Sequence, residues 1–158
     1  MSIMDGFPAS PVSPTETFRA AMRTVLQPTA LLSCETDEGE IVACVVNTVF
    51  PVSAEVPSLG VSLGVNSRTC RQVLHTGTFW ISFFTSDDRQ YMYEVAGAST
   101  TVRSEVAGLP DPAGEPIMSN SATAFKCVMA RHLTTWDHSL VIGQVTGIRV
   151  GETECLSL

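Results

Sequence analysis

The sequence predicts a mainly β protein, an antiparallel barrel carrying short peripheral helices. Three observations predict it. Beyond Pro28 the apolar residues come in short runs separated by turn residues rather than at helical spacing. The helical patterns are brief, and each carries its own start or stop signal. The order of elements is helix, strands, helix, strand, helix, loop, strands, without the regular strand and helix alternation that a parallel sheet requires.

Residues 1–12, with Gly6, Pro8 and Pro11 and no periodicity, read as a flexible arm ahead of one domain spanning 13–158. Ser13-Pro14-Thr15-Glu16 is a capping box with proline at the first helical position, and it opens a helix. Phe18, Met22, Val25 and Leu26 share one face of that helix, and Pro28 stops it. Ala30–Thr36 and Glu40–Val49, joined by Asp37-Glu38-Gly39, predict a hairpin. Pro51 and Pro57 bracket a kinked stretch unable to donate a full ladder, and Leu59–Val65 supplies the next strand. Asn66-Ser67-Arg68-Thr69 starts a short helix running to His75, with Gly77 as its left-handed stop. Phe79–Phe84 is a strand apolar on both sides, and Asp87-Asp88 caps a third helix through Ala96. Gly97–Asn120, rich in Gly, Pro and Ser, reads as a long surface loop. Two strands close the chain, Ala122–Thr134 and Trp136–Val150, the second with His138, Leu140, Ile142, Gln144 and Thr146 on one face. No internal repeat interrupts this order.

A chain of 158 residues can bury a single core without disulfides or a structural metal. Nine Lys and Arg against sixteen Asp and Glu leave a net charge of −7, which argues against nucleic acid and anionic membrane surfaces as partners. Charged residues are only 16% of the chain and apolar ones 44%, so further surface is expected to be buried in an oligomer. The longest apolar run, Ile41–Val46, is far too short to span a bilayer. No basic residue precedes Arg19, and the five cysteines are odd in number and widely spaced. Both features predict a reduced cytoplasm.

Asp137-His138-Ser139 holds the three residue types of a hydrolytic triad, but neighbours on a strand point to opposite faces and cannot converge on one atom. His132, His138, Asp137 and Cys127 lack any metal-ligand spacing. Of the cysteines only Cys70, beside Arg68 and Arg71, has a local activator, and all five read as core filler. Two segments carry more. Asn66 to Arg71 sets two hydroxyls and two guanidiniums at a helix start that follows a strand, where free N–H groups and the dipole already favour an anion. These residues fit either a solvated Ser-capped helix or a phosphate site. Ala43 to Thr48 is an apolar strand that abruptly offers an amide and a hydroxyl, suited either to a turn or to the edge of a flat heterocycle.

Phe18-Arg19-Ala20-Ala21-Met22-Arg23, Val46-Asn47-Thr48, Val52 to Pro57, Ser67-Arg68-Thr69, Thr76 to Phe79, Gly114-Glu115-Pro116 and Asp137 to Val145 occur in one order across about residues 15–147. Together they resemble the flavin reductase family of the FMN-binding split barrel. The resemblance implies a six-stranded antiparallel split barrel, a homodimer, and reduction of FMN or FAD by NADH or NADPH, often for a partner monooxygenase. It places flavin-ring contacts on Val45, Val46, Asn47 and Thr48, and phosphate contacts on Ser67, Arg68 and Thr69. Ser62 and Gly64 match the stretch beside the phosphate, Glu94 and Val95 the helix end near the flavin, and His138 the family's histidine near the nicotinamide.

Val45 stands where the family commonly has threonine, Thr48-Val49 where it has serine-phenylalanine, and Val95 where it has phenylalanine. Relatives also carry, beyond the position of Leu158, a proline-leucine pair and a tyrosine-arginine stretch that helps hold the nicotinamide, so the domain is expected to be short or truncated at that end, or to hold its reductant differently. Hydride transfer from nicotinamide C4 to flavin N5 needs two stacked rings and no side-chain nucleophile, in keeping with the missing triad. A flavin-binding carrier or oxidase-like protein without reductase activity is the alternative.

Overall fold

A computed structural model describes residues 13–158, so the predicted arm at 1–12 lies outside the described residues. The chain runs α1 (Pro14–Met22), β1 (Ala30–Glu35), β2 (Ile41–Val46), β3 (Phe50–Ser53), β4 (Ser58–Gly64), α2 (Arg68–Thr76), β5 (Thr78–Phe83), α3 (Arg89–Gly97), α4 (Arg103–Val106), β6 (Thr123–Thr135) and β7 (His138–Val150). All strands join one antiparallel sheet in the order β2-β1-β5-β6-β7-β4-β3. The fold is mainly β as predicted, but the sheet has seven strands, not six.

The additional strand is β3, which contains Pro51. Proline cannot donate to a ladder, so the stretch reads as irregular from sequence; at a sheet edge, with β4 as its single neighbour, the missing donor costs nothing. Phe50 pairs with Gly60, and a methyl group on Gly60 would lie 2.3 Å from the Phe50 ring, so the glycine is what lets that ring lie flat on β4.

β2 and β3 are the two edges of the sheet, yet residues 47–49 alone connect them. Seven flat strands would hold their edges about 29 Å apart, whereas the four Cα steps from Val46 to Phe50 span at most about 14 Å. The sheet must therefore curl. Its concave face encloses one core, to which Leu32, Val42, Val46, Val61, Phe79, Ile81 and Val141 contribute from five strands and Cys70 and Val73 from α2. Thr48 fastens the gap: its hydroxyl donates to the Ser62 carbonyl at 3.0 Å and accepts from the Ser62 N–H at 3.1 Å.

Outside the sheet, α3, α4 and the segment after them cover Leu31 and Ala43 with Met92, Val95, Ala107 and Met118. The stretch predicted as a surface loop is thus largely packed down. Apolar residues at irregular spacing do this without any period to betray it. Asp111 is buried there, accepting from the Ala113 and Glu115 N–H groups and pairing with Arg149 at 3.0 Å. Asp88 stands at the start of α3 but makes no capping bond; its carboxylate accepts instead from the Thr85 hydroxyl and the Asn120 amide.

The Ser13–Glu16 capping box and the Ser67 and Gly77 caps of α2 (Gly77 φ 72°) form as read. α1 ends at Met22, before Val25 and Leu26, and buries no residue; Leu26 is 79% exposed. Its apolar face stays largely uncovered by the described residues.

All five cysteines are free thiols. Burial pushes Cys44 up to about 11 and Cys127 up to about 12, and raises Cys34 and Cys70 as well. At neutral pH these groups are neutral packing elements. Iodoacetamide at pH 8 should label Cys155, the exposed one, and spare Cys70 until the protein is unfolded; mass spectrometry showing Cys70 modified as fast as Cys155 would contradict this. Thr48→Val keeps the shape but strands both Ser62 backbone groups, so urea unfolding should show a loss of about 1–3 kcal/mol. An unchanged midpoint would mean that the seam needs no clamp.

Candidate functional site

The Thr36 N–H donates to the Glu40 carbonyl at 2.7 Å, so the facing pair that closes the β1–β2 hairpin is hydrogen-bonded. Antiparallel pairs alternate. Cys34–Val42, Leu32–Cys44 and Ala30–Val46 are therefore bonded pairs, while the backbone groups of Ile41, Ala43 and Val45 point away from β1. Because β2 is an edge, they meet no further strand among the described residues. Arg103 of α4 claims one of them: its Nη1 donates to the Ala43 carbonyl at 3.0 Å and its Nη2 to the Ala98 carbonyl at 3.0 Å, while its buried Nε has no partner. One residue pair further on, Val45 presents its N–H and C=O to the open edge.

Side chains on β2 divide by the same alternation. Val46 is buried in the core, and Val45 packs outward against the cluster that holds Val95. Asn47 is exposed and borders an open groove of about 370 Å³ shared with Phe18, Arg19, Met22, Arg23 and Leu158. The Thr48 hydroxyl is engaged with Ser62. Val95 is wholly buried beneath the outer face, and Glu94, one residue earlier on α3, is exposed and accepts from Gln90.

β4 leads directly into α2. Gly64 accepts from the Ser67 N–H at 3.0 Å, and the Ser67 hydroxyl caps the helix through the Cys70 N–H, also at 3.0 Å. Thr69 is buried, while Arg68 is part-exposed and pairs with Glu40 at 2.5 Å. Arg71 is exposed and donates to the Asn66 carbonyl. Two guanidiniums and a helix dipole thus share one corner.

The start of β7 reaches the same corner. His138 lies opposite Gly64 in the ladder, and the Val65 N–H donates to the Asp137 carbonyl at 3.0 Å. The His138 side chain is exposed, with Nδ1 2.9 Å from the Asp137 carboxylate. That hydrogen bond holds the Asp137 acid below the usual carboxylate range. The ionised carboxylate can only accept, so the Nδ1 atom carries the proton and Nε2 faces outward. Ser139 is buried on the other face and its hydroxyl accepts from the Thr134 hydroxyl at 3.1 Å, so no hydrolytic triad forms. Among the described residues no cluster of His, Cys, Asp and Glu could hold a metal, and no helix is long and apolar enough to cross a membrane.

The structure therefore brings Ser62, Gly64, Ser67, Arg68, Thr69 and His138 to one corner, and sets Val45 and Asn47 along the β2 edge. Sequence reasoning missed Arg103, whose segment has no motif, and it set Trp136 at the start of the last strand, whereas β7 begins at His138 and Trp136 lies in the turn before it with a positive φ.

The family model described as flavin reductase like domain matches residues 22–156. The NADH-dependent flavin reductase StyB of Pseudomonas fluorescens is 28% identical over 134 residues, covering 82% of this chain and 75% of that protein. The NADH:riboflavin 5'-phosphate oxidoreductase of Streptomyces pristinaespiralis is 24% identical over 147 residues, covering 92% and 83%. Among solved structures, the styrene monooxygenase flavin reductase of Pseudomonas putida S12 superposes with a TM-score of 0.74 at 22% identity, covering 89% of this chain and 90% of that one. A Sinorhizobium meliloti oxidoreductase gives 0.81 at 22% identity, although this chain spans only 51% of its length. Because the family model spans residues 22–156, most of the chain, the chain belongs to the flavin reductase like domain family.

Proposed function

We propose that the β2 edge and the start of α2 bind a flavin, which the protein reduces with NADH to supply a flavin-dependent monooxygenase. The observation that carries this reading is the outward Val45 N–H and C=O, which no described strand pairs, on an open edge that ends near a cationic helix start. A flavin's pyrimidine ring offers alternating donors and acceptors, which a strand edge matches, and its phosphate suits the Ser67, Arg68 and Thr69 corner. The Asn47 amide extends the polar edge, and Thr48 acts through the seam it fastens. Val45 and Val95 furnish an apolar wall, with Glu94 at its rim. Val46 fixes the strand from the core side.

The flavin supplies the hydride acceptor; the protein's part is to hold and align the rings and exclude water. The outward His138 Nε2 accepts from the nicotinamide carboxamide while Asp137 keeps the imidazole ring oriented. Ser62 and Gly64 leave the approach to that corner free of bulk, since a methyl on Gly64 would touch nothing.

The site is proposed to work in a homodimer, the curled sheet acting as a split barrel whose apolar mouth is covered by the second copy. Phe50, Ile148 and Val150 are exposed there beside a groove lined by Pro28, Leu59, Phe125 and Cys155. α1 offers a second uncovered apolar face. Both explain why so few residues are charged.

Arg68→Ala should weaken FMN by about 1.5–3 kcal/mol and riboflavin, which has no phosphate, far less; equal losses would remove the phosphate assignment. His138→Ala should raise the KM for NADH or lower the hydride-transfer rate by about ten- to a hundredfold, with FMN affinity and Tm unchanged. A variant that loses stability but keeps turnover would make His138 structural. Light scattering should give twice the chain mass of 16.9 kDa; a monomer at micromolar concentration would refute the dimer.

A further inference from the structure

Thr135 pairs with His138, so Trp136 and Asp137 are the two residues of a tight hairpin turn. Trp136 has φ 52°, a left-handed conformation that favours glycine at such turns, and the residue is 94% exposed. A strained backbone here holds a large aromatic ring in water, with no burial among the described residues in return. Such strain persists where a site uses it.

The turn is tied to the phosphate corner: the Val65 N–H bonds the Asp137 carbonyl, His138 faces Gly64, and Asn66, Ser67 and Arg68 follow at once. We propose that Trp136 is an adenine platform, stacking on the adenosine half of FAD. The inference rests on the phosphate reading above. From a phosphate held at Arg68, the remainder of FAD must continue outward past the helix start. Trp136 precedes Asp137, whose carbonyl is bonded by Val65 just ahead of the helix start, which sets the turn beside that exit; the other tryptophan, Trp80, is buried. Arg71, exposed on the first turn of α2, stands ready for the second phosphate.

A subunit contact is the competing use of an exposed tryptophan. The exposed apolar residues placed at the proposed mouth, Ile148 and Val150, lie at the far end of β7, about 33–40 Å along the strand from His138, and beside the turn Leu133 is the one other large apolar side chain exposed among the described residues. Asp137, His138, Asn66 and Arg68 surround the turn with polar groups, the setting of a nucleotide rather than of a dry interface.

The test is calorimetric titration of FMN and FAD into the wild type, Trp136→Gly, Trp136→Phe and Arg68→Ala. Trp136→Gly should weaken FAD about five- to fiftyfold, the scale of base–aromatic stacking, and leave FMN within about twofold. Trp136→Phe should restore FAD binding. Trp136→Gly should also melt above the wild type, because glycine relieves the turn. Unchanged FAD affinity, equal losses for both flavins, or a halved mass in light scattering would overturn the proposal. A raised KM for NADH with FMN as acceptor would assign the platform to the dinucleotide and overturn the FAD assignment. Arg68→Ala that weakens neither flavin sinks the phosphate reading itself; Arg68→Ala that weakens both while Trp136→Gly weakens neither sinks the platform alone.

Discussion

The chain crosses from one edge of a seven-stranded sheet to the other through residues 47–49, and the rest of the structure depends on that crossing. It forces the curl that encloses the core. It also keeps β2 and β4 close without letting them pair, so Thr48 spans the seam with its hydroxyl instead of its backbone. Had the strands zipped together, the outward groups of Ala43 and Val45 would be spent in a ladder. Kept out of a ladder, the Ala43 carbonyl is taken by Arg103, and Val45 is left to offer a polar edge on an otherwise apolar wall, the feature that the proposed flat heterocycle needs. The seam that makes the core is also what opens the site.

Charge is distributed to the same end. The chain carries −7 overall, yet Arg68 and Arg71 stand together at the start of α2, reinforced by the helix dipole. Arg103 and Arg149 are committed elsewhere, the first to backbone carbonyls and the second to Asp111. Glu40 holds Arg68 in place and must yield part of it to an anion. In the proposed reading, a cationic corner on an acidic surface directs a phosphate by contrast rather than by strength.

Local signals were legible and collective ones were not. Ser67 and Gly77 announce α2, and Asp37-Glu38-Gly39 announces the hairpin, because caps and turns are chemistry between residues a few positions apart. The family pattern marked the corner shared by Ser67, Arg68 and His138. Pro51 hid β3, since only the completed sheet reveals that its missing N–H faces no partner. The segment after α3 looked loose because Ala107, Ile117 and Met118 bury without periodicity. The open edge at Val45 depends on hairpin parity, and the placement of Arg103 and the strain at Trp136 depend on backbone geometry. None of these is written in any single residue.

Amide hydrogen exchange at β2, followed residue by residue with and without FMN, tests the central claim most directly. The Val45 N–H should exchange readily in the free protein and slow markedly with FMN, whereas the Val46 N–H, already bonded to β1, should change little. Protection that appears elsewhere while Val45 stays unaltered would contradict the account.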